Sequence, residues 1–166
     1  GVGRFLHYFS PREEVWGVEV DRVSARIAEA NFPEFTIWNM TFNELFVDRR
    51  GNERSPAAWK ERFALVIGNP PYGDFTGKFT SREKQATGAT NYVEYFIYRG
   101  LMCLRPRALL IYIIPRSFLD APSSKAKEGI AKMAELIDAY RLPGGMFEQT
   151  DIQTDIVVFK KSPHGK

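Results

Sequence analysis

Cysteine is nearly absent. Cys103 is the only one in 166 residues, which excludes an internal disulfide framework and any zinc site built on several cysteines. A single thiol points to a reducing compartment. Histidine is scarce as well: His7 and His164 stand alone, with no partner pattern. No apolar run approaches the roughly 18 residues that a membrane span needs, and no signal peptide is recognisable. Internal repeats and low-complexity tracts are missing. So is a strong excess of charge: the formal net charge is +3 and the pI about 9.0. That mild basicity is compatible with a polyanionic partner without identifying one. The chain also has no initiating methionine. It opens on "GVGRFL", a glycine turn with no strand before it, which predicts a segment of a longer chain.

What remains is an ordinary globular balance, 44% hydrophobic and 26% charged, in a length that suits one domain over residues 1–166. Strand and helix patterns alternate along it. Residues 15–20 ("VWGVEV") read as a strand. Asp21 then caps a helix in "DRVSARIAEANF", with Val23, Ile27 and Ala30 at helical spacing. Residues 35–38 form a second strand, 48–55 a charged loop, and Pro56 opens a short helix through Trp59. A third strand covers 64–67. Residues 74–90 show no periodicity and predict a mobile loop. A helix over 91–104 leads to "ALLIYII" (108–114), nearly continuous apolar residues that suit a strand buried on both faces. A helix over 125–136 and strands at 136–142 and 156–159 close the chain. The pattern predicts an α/β fold: a doubly wound, mostly parallel sheet with an antiparallel closing hairpin.

In such sheets ligands bind beyond the carboxyl ends of the strands. Four of those ends carry unusual residues: the turn at Gly1 and Gly3, Glu19 in "GVEVD", the segment "NPPY", and the loop carrying Phe147. Gly1-Val2-Gly3 is either a simple turn or a cofactor turn. Glu19 is either a solvated acid or an acceptor for the two hydroxyls of a ribose. Asp21 fits a cap better than a ligand, and Cys103 fits inert core.

Asn69-Pro70-Pro71-Tyr72 stands apart, because it ends an apolar strand. Proline has no backbone donor and fixes its φ, and it biases the preceding residue away from helix. Two in a row make a stiff turn. Such a turn can aim the Asn69 side-chain oxygen and the Pro70 carbonyl at one point, which suits an amine with two hydrogens. Tyr72 offers a ring to stack on a flat heterocycle.

With these motifs the chain resembles the adenine-specific (N6) DNA methyltransferases that use S-adenosylmethionine and carry an Asn-Pro-Pro-Tyr motif. "GVGRFL", "GVEVD", "LVIGNPPYG", "NYVEYFIYRGLMCLRPRALLIYIIPRSFL" and "AYRLPGGMFEQTDIQTDIVVFKK" carry the resemblance, which runs through nearly the whole chain. It implies a Rossmann-like methyltransferase fold with the first strand missing. It implies catalysis by Asn69, Pro70, Pro71 and Tyr72, cofactor contacts from Gly1, Gly3, Phe5, Glu19, Thr41, Phe42 and Asn69, and a flipped adenine held by Tyr72 and Phe147. No metal is implied. Where the family often has aspartate and phenylalanine near the cofactor adenine, this chain has Thr41 and Phe42. Arg99, Arg105, Arg107 and Arg116 are candidate phosphate contacts, though Arg105 and Arg107 beside Pro106 also suit a solubilising turn.

The partners implied are double-stranded DNA and further domains of the same polypeptide, for target recognition and for a nuclease or helicase. The place implied is the bacterial or phage cytoplasm, at the nucleoid. Other functions share the motif or the fold: methylation of RNA or of protein glutamine, and a non-catalytic module that binds cofactor or DNA within a larger restriction-modification or phage-defence protein.

Overall fold

The computed structural model describes residues 1–48, 50, 52–74, 81–143 and 152–163. The chain divides into two compact units, Gly1–Ser55 and Pro56–Lys166.

The first unit opens with a 3-10 turn, Arg4–Tyr8. Strand β1 (Trp16–Glu19), helix α1 (Arg22–Asn31) and strand β2 (Thr36–Asn39) follow. β1 and β2 pair in parallel, Trp16 beside Thr36 and Glu19 beside Asn39. Asp21 caps α1 as expected, its carboxylate accepting the Ser24 N–H at 2.7 Å. The buried face of α1 differs from the expected one. Val23 and Ile27 are exposed (66% and 41%), as is Ala30, while Ala25 and Ala28 are buried. Small side chains let the helix lie close to its two strands, so the alanines and not the larger residues mark the packed stripe. Leu6, Phe32 and Phe35 form a small core, with Phe9, Val15 and Ile37 against it.

The second unit is larger. Its strands β3 (Phe63–Gly68), β4 (Leu104–Pro115), β5 (Ala134–Arg141) and β6 (Thr154–Lys161) form one sheet in the order β3-β4-β6-β5. β3 and β4 are parallel, and β6 runs antiparallel to both β4 and β5. The closing hairpin is therefore antiparallel as predicted. Helix α3 (Tyr92–Cys103) presents Val93, Ile97 and Leu101 along one stripe to Leu110, Tyr112 and Ile114 of β4 and Val157 and Phe159 of β6. Ile130 of helix α5 (Lys125–Met133) completes that layer. α3 approaches closely because residue 100 is glycine. A Cβ there would sit 2.8 Å from Leu110 Cδ1 and 2.9 Å from the Tyr112 hydroxyl.

Three expectations are corrected here. The stretch 74–90, read as a loop, contains helix α2 (Ser81–Thr87). Its sequence favours helix, but its buried residues are the polar Glu83 and Thr87, so no apolar periodicity announces it. The helix over 125–136 ends at Met133, and β5 begins at Ala134. The segment "RPR" lies inside β4, where the pairing with β3 jumps from Phe63–Leu104 to Leu65–Leu109. Pro106, which cannot donate to a ladder, sits in that bulge, and Arg107 takes a positive φ of 66°. A short helix α4 (Ser117–Asp120) follows β4. Among the described residues, no helix is long and apolar enough to cross a membrane.

Candidate active site

In the first unit the glycine turn and Glu19 come together. The Glu19 carboxylate accepts the Asp21 N–H at 2.7 Å and lies beside the backbone nitrogen of Gly1. Gly3 takes φ +86°, and a Cβ there would meet Phe32 Cε2 at 2.9 Å, so both conformation and packing demand glycine. Gly1 has open space where a side chain would stand. Phe5 is half-buried within the 3-10 turn. Asn39, beside Glu19 at the end of β2, donates its amide to the carbonyls of Glu19 and Val20 at 2.9 and 3.1 Å. This ties the two strand ends together. Thr41 opens the 3-10 turn Phe42–Leu45, with its N–H and hydroxyl both donating to Glu44 Oε2 (2.8 and 2.9 Å). Phe42 meets Phe46 edge to face, centroids 5.0 Å apart.

In the second unit the motif leaves β3 at its carboxyl end. Asn69 is exposed, Pro70 buried, Pro71 exposed and Tyr72 half-buried against the main core. The Tyr72 hydroxyl donates to Asn69 Oδ1 at 2.7 Å. Burial pushes the Tyr72 phenol up from its ordinary value, so it remains a donor at neutral pH. Beyond the motif, Gly73 takes φ +102°. Its carbonyl accepts the Tyr92 N–H at 3.1 Å, and Asp74 bridges to Asn91. The turn is thus held at both ends, by β3 and by the start of α3.

Polar residues that the sequence reading missed support this start of α3. Asn91 caps the helix through the Glu94 N–H at 3.0 Å. Glu94, 3% exposed, accepts from the Thr90 N–H and hydroxyl (2.9 and 3.1 Å) and from Ser124 Oγ at 2.6 Å. Ser124 in turn caps α5. α2 is anchored in the same way. Glu83 is buried, accepting from the Tyr95 hydroxyl at 2.9 Å and from the Arg99 guanidinium. Burial first, then the charge of Glu83, pushes the Tyr95 phenol up. Arg99 is 4% exposed and committed to this pair, so the expectation that it meets phosphate is overturned. A carboxylate or arginine inside an apolar helix is the one sequence signal that marks such anchors.

The hairpin between β5 and β6 opens at the same end of the sheet as the motif, since Pro115 at the end of β4 pairs with Thr154. Phe147 lies outside the described residues. The stems of the hairpin are stapled to the start of α4. Arg116 donates its backbone N–H to the Gln153 carbonyl at 2.9 Å, Nη1 to Gln153 Oε1 at 2.6 Å and Nε to Asp120 at 2.6 Å. Arg141 forks onto buried Asp155 at 2.9 and 3.1 Å. The Arg116 guanidinium holds the Asp120 carboxyl below the usual carboxylate range. Arg105 and Arg107 are exposed in the β4 bulge. His7 packs edge-on against Phe32 at 4.8 Å. Cys103 is buried, and burial pushes its thiol from 9.0 up to about 12.

Comparison with known proteins gives a consistent picture. The family model described as Eco57I restriction-modification methylase matches residues 7–142. The chain is 28% identical over 150 residues to the "Defense against restriction protein B" of Escherichia phage P1, covering 87% of this chain but 6% of that protein. Its structure resembles the methyltransferase subunit of a type I restriction-modification system from Streptococcus thermophilus, with a TM-score of 0.67 at 16% identity. The likeness covers 89% of this chain and 34% of that one. It also resembles the N-methyltransferase NodS of Bradyrhizobium japonicum WM9, solved with S-adenosyl-L-homocysteine. There the TM-score is 0.58 at 10% identity, over 98% of this chain and 74% of that one. The shared architecture is the Rossmann-like fold of such methyltransferases, an open α/β sheet closed by an antiparallel hairpin.

Proposed function

The chain belongs to the Eco57I restriction-modification methylase family, and from that premise we propose that it transfers a methyl group from S-adenosylmethionine to the exocyclic amine of adenine in DNA. The observation that carries this reading is the motif turn. It is an exposed acceptor, Asn69, at the carboxyl end of β3, followed by buried Pro70 and the half-buried ring of Tyr72. The turn is held rigid by β3 before it and α3 after it.

The residues of the first unit fit the cofactor. Glu19 stands at the end of β1 with one carboxylate oxygen accepting the Asp21 N–H, and a carboxylate at that position can accept ribose hydroxyls. Gly1, Gly3, Phe5, Glu19, Thr41 and Phe42 would hold S-adenosylmethionine. When bound, it supplies a methyl group on an electrophilic sulfonium.

The protein's own contribution is to the amine. An exocyclic amine shares its lone pair with the ring and is a poor nucleophile. Asn69 Oδ1 and the Pro70 carbonyl accept its two hydrogens, and both contacts strengthen as the nitrogen becomes tetrahedral. They therefore bind the transition state better than the ground state. The remainder is positioning. The adenine leaves the duplex to enter such a site, and Tyr72 stacks on it. Phe147, which lies outside the described residues, is the candidate for the other face that the family resemblance implies. The short share of the phage relative that is matched supports a place within a larger restriction-modification or phage-defence polypeptide, which would supply target recognition.

The test is methyl transfer to adenine-containing DNA by the full-length protein, parent against Asn69→Ala. Losing one preorganised transition-state hydrogen bond costs roughly a hundred- to thousandfold in turnover, with cofactor affinity little changed. Turnover within a few-fold of the parent removes Asn69 from the chemistry and the adenine methyltransferase reading with it.

A further inference from the structure

Asparagine is an ambiguous catalytic group. Its side chain ends in an acceptor oxygen and a donor NH2 of almost the same size, and a half-turn exchanges them. At a site that must accept hydrogen from an amine, the swapped orientation places two donors face to face. Exposed Asn69 therefore needs something to select its oxygen.

The structure assigns a positioning role to the Tyr72 hydroxyl: by donating to Asn69 Oδ1 at 2.7 Å, it holds the acceptor oxygen in a fixed place for the amine. This rests on the methyltransferase reading above, and it separates two roles within one side chain. The ring is the stacking surface, and the oxygen is an orienting donor that never touches the methyl group.

Three further observations carry the inference. Tyr72 is not free to swing, because its ring packs against the main core. The turn between the two residues contains Pro70 and Pro71, whose φ angles are fixed, so the hydroxyl and the amide face each other across a stiff span. The turn is also clamped beyond Tyr72, through the Gly73 carbonyl and the Asp74–Asn91 bridge. A carboxamide oxygen has two lone pairs. One takes the Tyr72 proton, and the other stays available to the target amine.

The test uses Tyr72→Phe in the full-length protein, which keeps the ring and deletes one oxygen. Turnover on adenine-containing DNA should fall about three- to tenfold, the range for one neutral hydrogen bond. The KM for DNA and the affinity for S-adenosylmethionine should stay within about twofold, since stacking is retained. The same substitution is then made in an Asn69→Asp background. A carboxylate has two equivalent oxygens, so there Tyr72→Phe should change turnover by a clearly different factor than in the Asn69 parent, the sign that the hydroxyl acts through residue 69.

Parental turnover in Tyr72→Phe overturns the proposal. So does an equal loss in both backgrounds, which would place the hydroxyl's action somewhere other than Asn69. A rise in KM with unchanged turnover overturns it too, because that would make the hydroxyl part of base binding. Failure of the parent reading looks different, since there Asn69→Ala itself is active.

Discussion

Glu19 illustrates how much one carboxylate can be asked to do. It sits where β1 ends, with Asn39 locking the neighbouring carbonyls of Glu19 and Val20 to the end of β2. Its carboxylate is half-buried and accepts the Asp21 N–H at 2.7 Å. Glu19→Ala should weaken S-adenosylmethionine binding by the full-length protein about ten- to a hundredfold, the range for hydrogen bonds to a charged group. The fold should be unaffected, because Asp21 and not Glu19 caps α1. Isothermal calorimetry gives the affinity, and circular dichroism the fold. At this scale the sequence was informative wherever a residue type has few structural uses. Asn before two prolines, and glycine at φ +86°, are of that kind. It named Thr41 as a cofactor contact without showing that its hydroxyl donates to Glu44, and it misjudged Arg99. A lone arginine reads as a phosphate contact until its partner, 16 residues away, is seen to be buried with it.

That partner belongs to an element the periodicity did not reveal. α2 is tied into the second unit by Glu83, whose carboxylate meets Arg99 and Tyr95 of α3 away from water. Removing one member takes from the other the buried ionic partner it pairs with. Glu83→Ala should destabilise the protein by about 3–5 kcal/mol, read as a shift in the urea midpoint. Replacing both Glu83 and Arg99 by methionine should cost less than the single change, because no buried charge then loses that partner. A double variant worse than Glu83→Ala would show that the pair's specific geometry, not charge compensation, holds the helix. Elements with apolar stripes, such as α3 and β4, were legible because burial of hydrocarbon repeats at the period of the backbone. α2 was not, since its buried side is made of Glu83 and Thr87. α1 was legible as a helix but not in its orientation. Alanine at 25 and 28 packs more closely than valine at 23 and isoleucine at 27, and pattern reading weights size.

Across the whole molecule, the order β3-β4-β6-β5 brings the motif and the stems of the closing hairpin to one end of a single sheet. The alternation of strands and helices was enough to anticipate this, because a parallel pair crossed by a helix leaves its loops at the carboxyl ends. The division into two units was not anticipated from composition, which shifts little at Ser55. The larger unit holds the only cysteine of the chain, Cys103, buried at the end of α3. Its thiol keeps its proton up to about pH 12 when folded, against an ordinary value of 9.0. Between those values the folded state holds a proton that the unfolded state has released, so stability falls as pH rises from 9 towards 12. The difference in urea midpoint between the parent and Cys103→Ala should shrink across that window, and a constant difference would refute the shift. At neutral pH the same burial makes the native protein inert to thiol reagents until it unfolds. A segment with its one thiol hidden is ready for spectroscopic labelling. A cysteine introduced at exposed position 74, at the far end of the motif turn, would be the one accessible thiol within residues 1–166, and a dye attached there would report the arrival of a base in real time.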